Sequence, residues 1–304
     1  MDIVYSEKYD LSLDPHPWHT SKYRHTIDIL KRKGLVNESR ILEAPIAEES
    51  DILRVHSFEY YNKLYNLDFS EEEIEHAEIP LTHETVDLFW RMTGGTVLAS
   101  EHAIADGICV HLGGGFHHAY PSHASGFCLL NDIAISLSSL LYQGAIRSAA
   151  VIDCDLHQGD GTARIFQDNP RVCTLSIHQQ DAFPSFKQRS NIDIGLPSGT
   201  GDEEYLAALD TALAELFADD RQFDFIHYQS GVDTYFGDLL GRFRLSEEGL
   251  RERDRRVIST VLEKRIPMVI TLGGGYTAHP EEVARLHANT VIEALLAEQQ
   301  ILRR

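Results

Sequence analysis

Asp153, Asp155 and His157 stand two residues apart in the run VIDCDLHQGDG. In extended backbone, side chains at i, i+2 and i+4 leave the same face, so these three form a chelating edge. A buried carboxylate is costly unless it is paired or bound to a cation, and two of them ending an apolar strand call for a metal or for histidine partners. A catalytic zinc takes about three protein ligands, imidazole and carboxylate among them, and keeps a position open for water. Asp155 and His157 supply two. The third must come from another strand end, where Asp233 in QSGVD is best placed and Asp238 competes with it.

The D-x-H pattern alone is common, and what weights it here is the glycine-flanked continuation Gln158-Gly159-Asp160-Gly161. His117 and His118 follow three glycines, a poor place for two core histidines, because adjacent side chains on an extended segment diverge. Histidine titrates near neutrality, so such a pair beside a metal is suited to take a proton from water and return it to a leaving amine. Asp153 and Asp160 would orient the two rings and fix their tautomers. Tyr276, after the glycines of TLGGGY, can donate a hydrogen bond to a carbonyl oxygen as negative charge grows on it.

The elements that must position these groups are legible as continuous apolar runs. ICVHL at 108–112, AAVIDCD at 149–155, VCTLSIH at 172–178, FDFIHY at 223–228 and PMVITL at 267–272 read as buried parallel strands. Helical periodicity marks 130–144, stopped by Gly144, and 203–218, opened by Gly201-Asp202. A further helix follows Ser246 as its N-cap, and two more fall at 19–34 and from His83 onward. Alternating strands and helices predict an α/β fold, a central mostly parallel sheet flanked by helices. Four strands run straight into glycines and polar groups, which predicts one pocket at the carboxyl ends of the strands.

The chain has 304 residues, 43% hydrophobic and 24% charged, with no linker-like block, so we read residues 1–304 as one domain. A net charge of -20 disfavours nucleic acid and suits cationic substrates. Cys109, Cys128, Cys154 and Cys173 form no C-x-x-C pair and read as reduced thiols. No apolar run reaches membrane-spanning length and the N-terminus lacks a signal-like segment, so a soluble, cytoplasmic protein is expected.

Taken together, RVHSFEYYNKL, GGGFHHAYPSHASGFCLLNDIAI, VIDCDLHQGDGTARIF, SGVDTYFGD and LGGGYT resemble the zinc-dependent histone deacetylases and their bacterial relatives, which share the arginase/deacetylase fold. The chain looks most like the class IV branch: Gln158 stands where most of these enzymes have a second histidine, and DPHPWHTSKYRHTIDIL replaces the usual opening motif. The resemblance implies one zinc per chain on Asp155, His157 and Asp233, which favours Asp233 over Asp238. It implies His118 as general base and acid beside Asp160, His117 as an electrostatic group beside Asp153, and Tyr276 as the carbonyl-polarising donor. It also implies an acyl-lysine channel walled by Phe127 and Phe183, lined by Gly126 and Gly274, with Leu240 near its rim. A structural potassium ion is implied on carbonyls of Asp153, Asp155 and His157, with Ser176 and Ile177 on the neighbouring strand.

The activity so implied is removal of an acetyl or longer acyl group from an amine, the Nε of an acylated lysine in a peptide or protein foremost. Acylated polyamines and other small acyl-amines stand second. A binuclear manganese ureohydrolase of the same fold would need a D-x-H-x-D run, and position 159 is glycine. A silent acyl-lysine-binding module is disfavoured because every matched site residue is present. Acyl-chain preference and oligomeric state leave no mark in the sequence.

Overall fold

Eight strands form one sheet in the computed structural model, which describes residues 1–218 and 221–302. They are β1 (Asp2–Tyr5), β2 (Ile41–Glu43), β3 (Ile108–His111), β4 (Ala149–Asp153), β5 (Val172–Gln179), β6 (Ile192–Leu196), β7 (Phe225–Gln229) and β8 (Met268–Thr271). The order is β2-β1-β3-β8-β7-β4-β5-β6, and every neighbouring pair is parallel. The five strands read from the sequence fill the interior of this sheet, buried from end to end apart from Cys173, because helices cover both faces. The sheet is therefore wholly parallel rather than mostly so. The run at 149–155 is shorter than expected: β4 ends at Asp153, and Asp155 and His157 lie in the loop beyond it.

Ten α-helices accompany the strands: α1 (Ser21–Arg32), α2 (Glu49–Ile52), α3 (Phe58–Asn66), α4 (Glu71–Ala77), α5 (His83–Asp106), α6 (Asp132–Gln143), α7 (Asp160–Phe166), α8 (Asp202–Leu216), α9 (Glu247–Glu263) and α10 (Pro280–Leu302). Their ends follow the expected chemistry. Asn131 caps α6 by accepting the Ala134 N–H at 2.9 Å, and Gly144 ends that helix in the left-handed conformation. Ser246 caps α9 through the Gly249 N–H at 3.0 Å. Among the described residues no helix is long and apolar enough to cross a membrane. All four cysteines are free thiols.

The strand order places the site. From β4 the chain crosses to β5 on one side, whereas from β7 it crosses to β8 on the other. Adjacent connections leaving in opposite directions open a crevice at the carboxyl ends of the two strands, and ligands bind at such a switch point. Asp155 and His157 follow β4, and Asp233 follows β7.

Three core histidines outside this crevice carry a pH signature. Burial pushes His56 down to about 4 and both His111 and His227 down to about 3. Their folded values lie below the unfolded value of about 6.5, so the stability they share is complete above that pH and is lost progressively as pH falls through the interval. At pH 5 unfolding is expected to take up about three protons at these rings, and Tm should fall steeply from pH 6.5 to 4. A Tm flat across that range would contradict the assignment.

Candidate active site

Asp155, His157 and Asp233 converge. Their ligand atoms lie within 4.8 Å of one another; the two carboxylates are buried and His157 keeps a small exposed edge. His157 Nδ1 stands 3.3 Å from Asp155 Oδ1 and 3.0 Å from Asp233 Oδ2. The remaining oxygens are fixed from outside: Gly274 N–H donates to Asp155 Oδ2 at 2.9 Å and Leu156 N–H to Asp233 Oδ1 at 2.9 Å. A side chain at position 274 would collide, since its Cβ would lie 2.4 Å from Asp233 Oδ2 and 2.7 Å from Asp155 Oδ2. Burial, and then the charge of Asp155, push Asp233 up to about 7. His157 rises to about 10 against the cost of burial, because both carboxylates hydrogen-bond it. Two carboxylates and an imidazole sealed together suit a zinc ion well.

Asp238 stands apart from this cluster. Its carboxylate accepts the backbone N–H groups of Leu240 and Gly241 through Oδ1 and of Tyr276 through Oδ2, at 2.7–3.0 Å, tying together the two segments that carry Leu240 and Tyr276.

The two histidines do not diverge. Residues 116–118 form a turn rather than extended chain, and the ring centroids of His117 and His118 lie 4.1 Å apart, both buried. His117 Nδ1 meets Asp153 Oδ2 at 2.7 Å, and His118 Nδ1 meets Asp160 Oδ1 at 2.6 Å. Asp160 also accepts the Tyr120 hydroxyl at 2.8 Å. Their electrostatics separate the rings. Burial opposes charge on His117, but Asp153 and Asp155 raise it to about 9. Burial and the neighbouring charge of His117 push His118 down to about 4. At neutral pH one ring is a cation and the other a base whose Nε2 is its free nitrogen.

A cavity of about 370 Å³ opens onto these groups. Phe127, Phe183, Gly126, Leu240, Gly274 and Tyr276 all line it, as the resemblance implied. Phe183 packs edge-on against His118, with centroids 4.9 Å apart, and Phe127 packs edge-on against Tyr276 at 5.9 Å. Gly126 has φ +50, and a Cβ there would lie 2.7 Å from the Phe183 ring and 2.8 Å from His118. Burial and the charges of Asp155 and Asp233 hold the Tyr276 hydroxyl well above its usual range, so it stays protonated and able to donate.

The histone deacetylase domain profile matches residues 16–294. An uncharacterized protein of Picosynechococcus sp. is 33% identical over 94% of this chain and 95% of its own length, and histone deacetylase 2 of Arabidopsis thaliana is 32% identical over 91% and 74%. The chain belongs to the histone deacetylase family. Among solved structures, an HDAC homolog complexed with SAHA superposes with a TM-score of 0.81 at 26% identity, covering 97% of this chain and 83% of that one.

Within this deacetylase-family chain several cavity residues were not foreseen. Trp18, Tyr23, Glu78, Asp181 and Arg242 also line the cavity. Glu78 is hidden in the acidic run EEEIEHAE, which reads as a solvated helix; its left-handed backbone at the end of α4 turns it away from that helix. Lys22 is fully buried, its Nζ donating to the Gly273 carbonyl at 2.9 Å, and burial pushes it down to about 8. Gln158 is buried too. It donates to the Gln188 carbonyl and to Asp193 Oδ1, both at 2.7 Å, and accepts the Gln188 N–H at 2.8 Å, so it fastens the segment beyond Phe183 to the loop of His157. Ser176 sits opposite Asp153 across the β4–β5 pair, its hydroxyl 3.0 Å from His178 Nδ1, with Ile177 buried beside it.

Proposed function

We propose that this chain is a zinc-dependent deacylase that hydrolyses the amide of an Nε-acylated lysine, releasing a carboxylate and a free amine. The observation that carries this reading is the meeting, in one cavity, of the Asp155–His157–Asp233 cluster, two histidine–aspartate pairs and a tyrosine hydroxyl. Zinc held by the three ligands would supply a Lewis acid that polarises a carbonyl and eases deprotonation of water. His118 takes the proton of the attacking water on Nε2 and hands it to the departing nitrogen. Asp160 and Tyr120 hold that ring in the tautomer the transfer needs. His117, hydrogen-bonded to Asp153, lends electrostatic support to negative charge growing on the substrate, and the Tyr276 hydroxyl donates to the carbonyl oxygen.

Phe127 and Phe183 line the path along which the apolar stem of the neutral acylated lysine would enter, and Glu78, Asp181 and Arg242 add charged groups of both signs to the same cavity. A binuclear centre is not supported. Among the described residues the other group that could hold a metal, Asp2, His102 and Asp106, belongs to β1 and α5, and Arg40 already pairs with Asp2 at 2.8 Å. The potassium ion beside Ser176 is carried into this reading by the family resemblance. The test is turnover by the zinc-loaded chain of lysine peptides carrying acyl groups of increasing length, alongside acylated polyamines. We expect amine release from at least one acyl-lysine peptide at a kcat/KM above that of any polyamine. Failure on every acyl-lysine peptide would reject the proposal.

A further inference from the structure

Three glycines near the histidine turn have no room for a side chain, and the atoms that exclude one are polar. A Cβ at Gly95 would lie 2.5 Å from Tyr9 Oη and 2.6 Å from His111 Nε2; one at Gly113 would lie 2.9 Å from His111 Nε2. At Gly114 it would meet Asp132 Oδ2 at 2.3 Å and Thr96 Oγ1 at 2.6 Å. These atoms form a continuous buried chain. Tyr9 Oη lies 2.7 Å from His111 Nε2, His111 Nδ1 lies 2.9 Å from Thr96 Oγ1, and Thr96 Oγ1 lies 2.5 Å from Asp132 Oδ2.

Asp132 faces only donors: the Thr96 hydroxyl, the Gly115 N–H at 2.9 Å and the Phe116 N–H at 2.7 Å. Thr96 therefore gives its proton to Asp132 and accepts from His111 Nδ1–H, which leaves Nε2 to accept from Tyr9. Burial keeps the His111 ring neutral, with the one donor and one acceptor this order requires. Donation runs from Tyr9 through His111 and Thr96 to Asp132, whose carboxylate also accepts the two amides immediately before His117. On the other side of the turn, Asn131 donates to the Ala119 carbonyl at 3.1 Å while capping α6. The turn that carries both imidazoles is thus gripped at each end by consecutive residues at the start of α6.

We propose that Tyr9, His111, Thr96 and Asp132 are positioning residues, a hydrogen-bond relay converging on Asp132 that sets the segment 113–116 leading into the histidine turn and thereby aligns His117 and His118 with Asp153 and Asp160. This rests on the roles given to the two histidines above. None of the four touches the cavity, so their effect is exerted through the backbone of Gly115 and Phe116. A buried relay of this kind is costly when partly satisfied, since the groups left unpaired are worth more than the bond removed.

The experiment compares Thr96→Val, which keeps shape and deletes the hydroxyl, with Thr96→Ser, which restores it, and with Tyr9→Phe at the far end, all in the metal-loaded full chain. Steady-state kinetics are read beside amide hydrogen exchange of the peptide spanning Gly115 and Phe116. Thr96→Val should lower kcat about 10- to 100-fold with KM nearly unchanged, as a small misplacement of catalytic groups does, and exchange at the two amides should quicken at unaltered metal content. Thr96→Ser should recover most of kcat, and Tyr9→Phe should show a smaller loss of the same kind. Wild-type kcat and exchange in Thr96→Val, or equal impairment in Thr96→Ser, would overturn the proposal. Should Thr96→Val not fold, unchanged kcat and exchange in Tyr9→Phe overturns it instead. A wild-type chain inactive on every acyl-amine would defeat the deacylase reading, while the exchange contrast still decides the relay.

Discussion

Asp155→Ala is expected to lower kcat/KM on an acyl-lysine peptide by at least about 1000-fold, because it removes a ligand from an ion whose Lewis acidity contributes several kcal/mol to the barrier. The buried surroundings make the loss hard to compensate: Asp155 also accepts the N–H groups of His157 and Gly274, so the variant loosens the two segments that bring the other cavity walls together. Zinc should raise the Tm of the wild-type chain and leave that of the variant nearly unmoved, which separates lost metal binding from lost folding. Metal binding should also be linked to pH. Without the ion, His157 sits up at about 10 and Asp233 at about 7, so both hold protons in mildly acid solution that a metal must displace. Calorimetry in buffers of different ionisation enthalpy should show proton release falling by about one between pH 6 and pH 8, as Asp233 loses its proton before the metal arrives. Release that does not vary with pH would show that no carboxyl of the cluster holds a proton in that range before the metal arrives.

Tyr276→Phe tests the other half of the site. Losing one donor to a developing oxyanion costs about 100- to 1000-fold in kcat, and here only the hydroxyl is lost. The phenyl ring can still pack against Phe127 and above Lys22 Nζ, so KM and zinc content should stay near wild type. A fall in kcat smaller than about 10-fold would show that the hydroxyl does not act in the transition state.

The parts of this molecule that were readable in its sequence are those where chemistry is concentrated in short runs. Interior strands reveal themselves as unbroken apolar stretches because both faces are covered, and the polar residues that follow them are conspicuous for the same reason. The strands β1, β2 and β6 escaped notice. β2 has three residues and is half-exposed at one edge, β6 alternates along the other edge, and β1 is four residues long at the very N-terminus. The spacing of Asp153, Asp155 and His157 suggested a common face, but β4 ends at the first of them: Asp155 and His157 meet Asp233, whereas the Asp153 carboxylate turns to His117. Glycine doublets and triplets mark places of close approach, but a sequence does not say what approaches. Gly95, Gly113 and Gly114 are pressed by Tyr9, Thr96, His111 and Asp132, residues from four separate segments. Lys22 was equally hidden: a lysine on an amphipathic helix is ordinarily solvated, and only the fold brings the Gly273 carbonyl to it.

The crevice between β4 and β7 joins segments far apart in the chain: His157 and Asp233 are separated by 76 positions. An ion gripped by both would act as a tether, closing a long loop in a region otherwise held by non-covalent pairing. The unfolded chain has no such site, so the free energy of binding the ion stabilises the folded form alone. Loading the site should therefore slow spontaneous opening of the sheet along that seam, so the residence time of the metal and the lifetime of the folded chain become one clock.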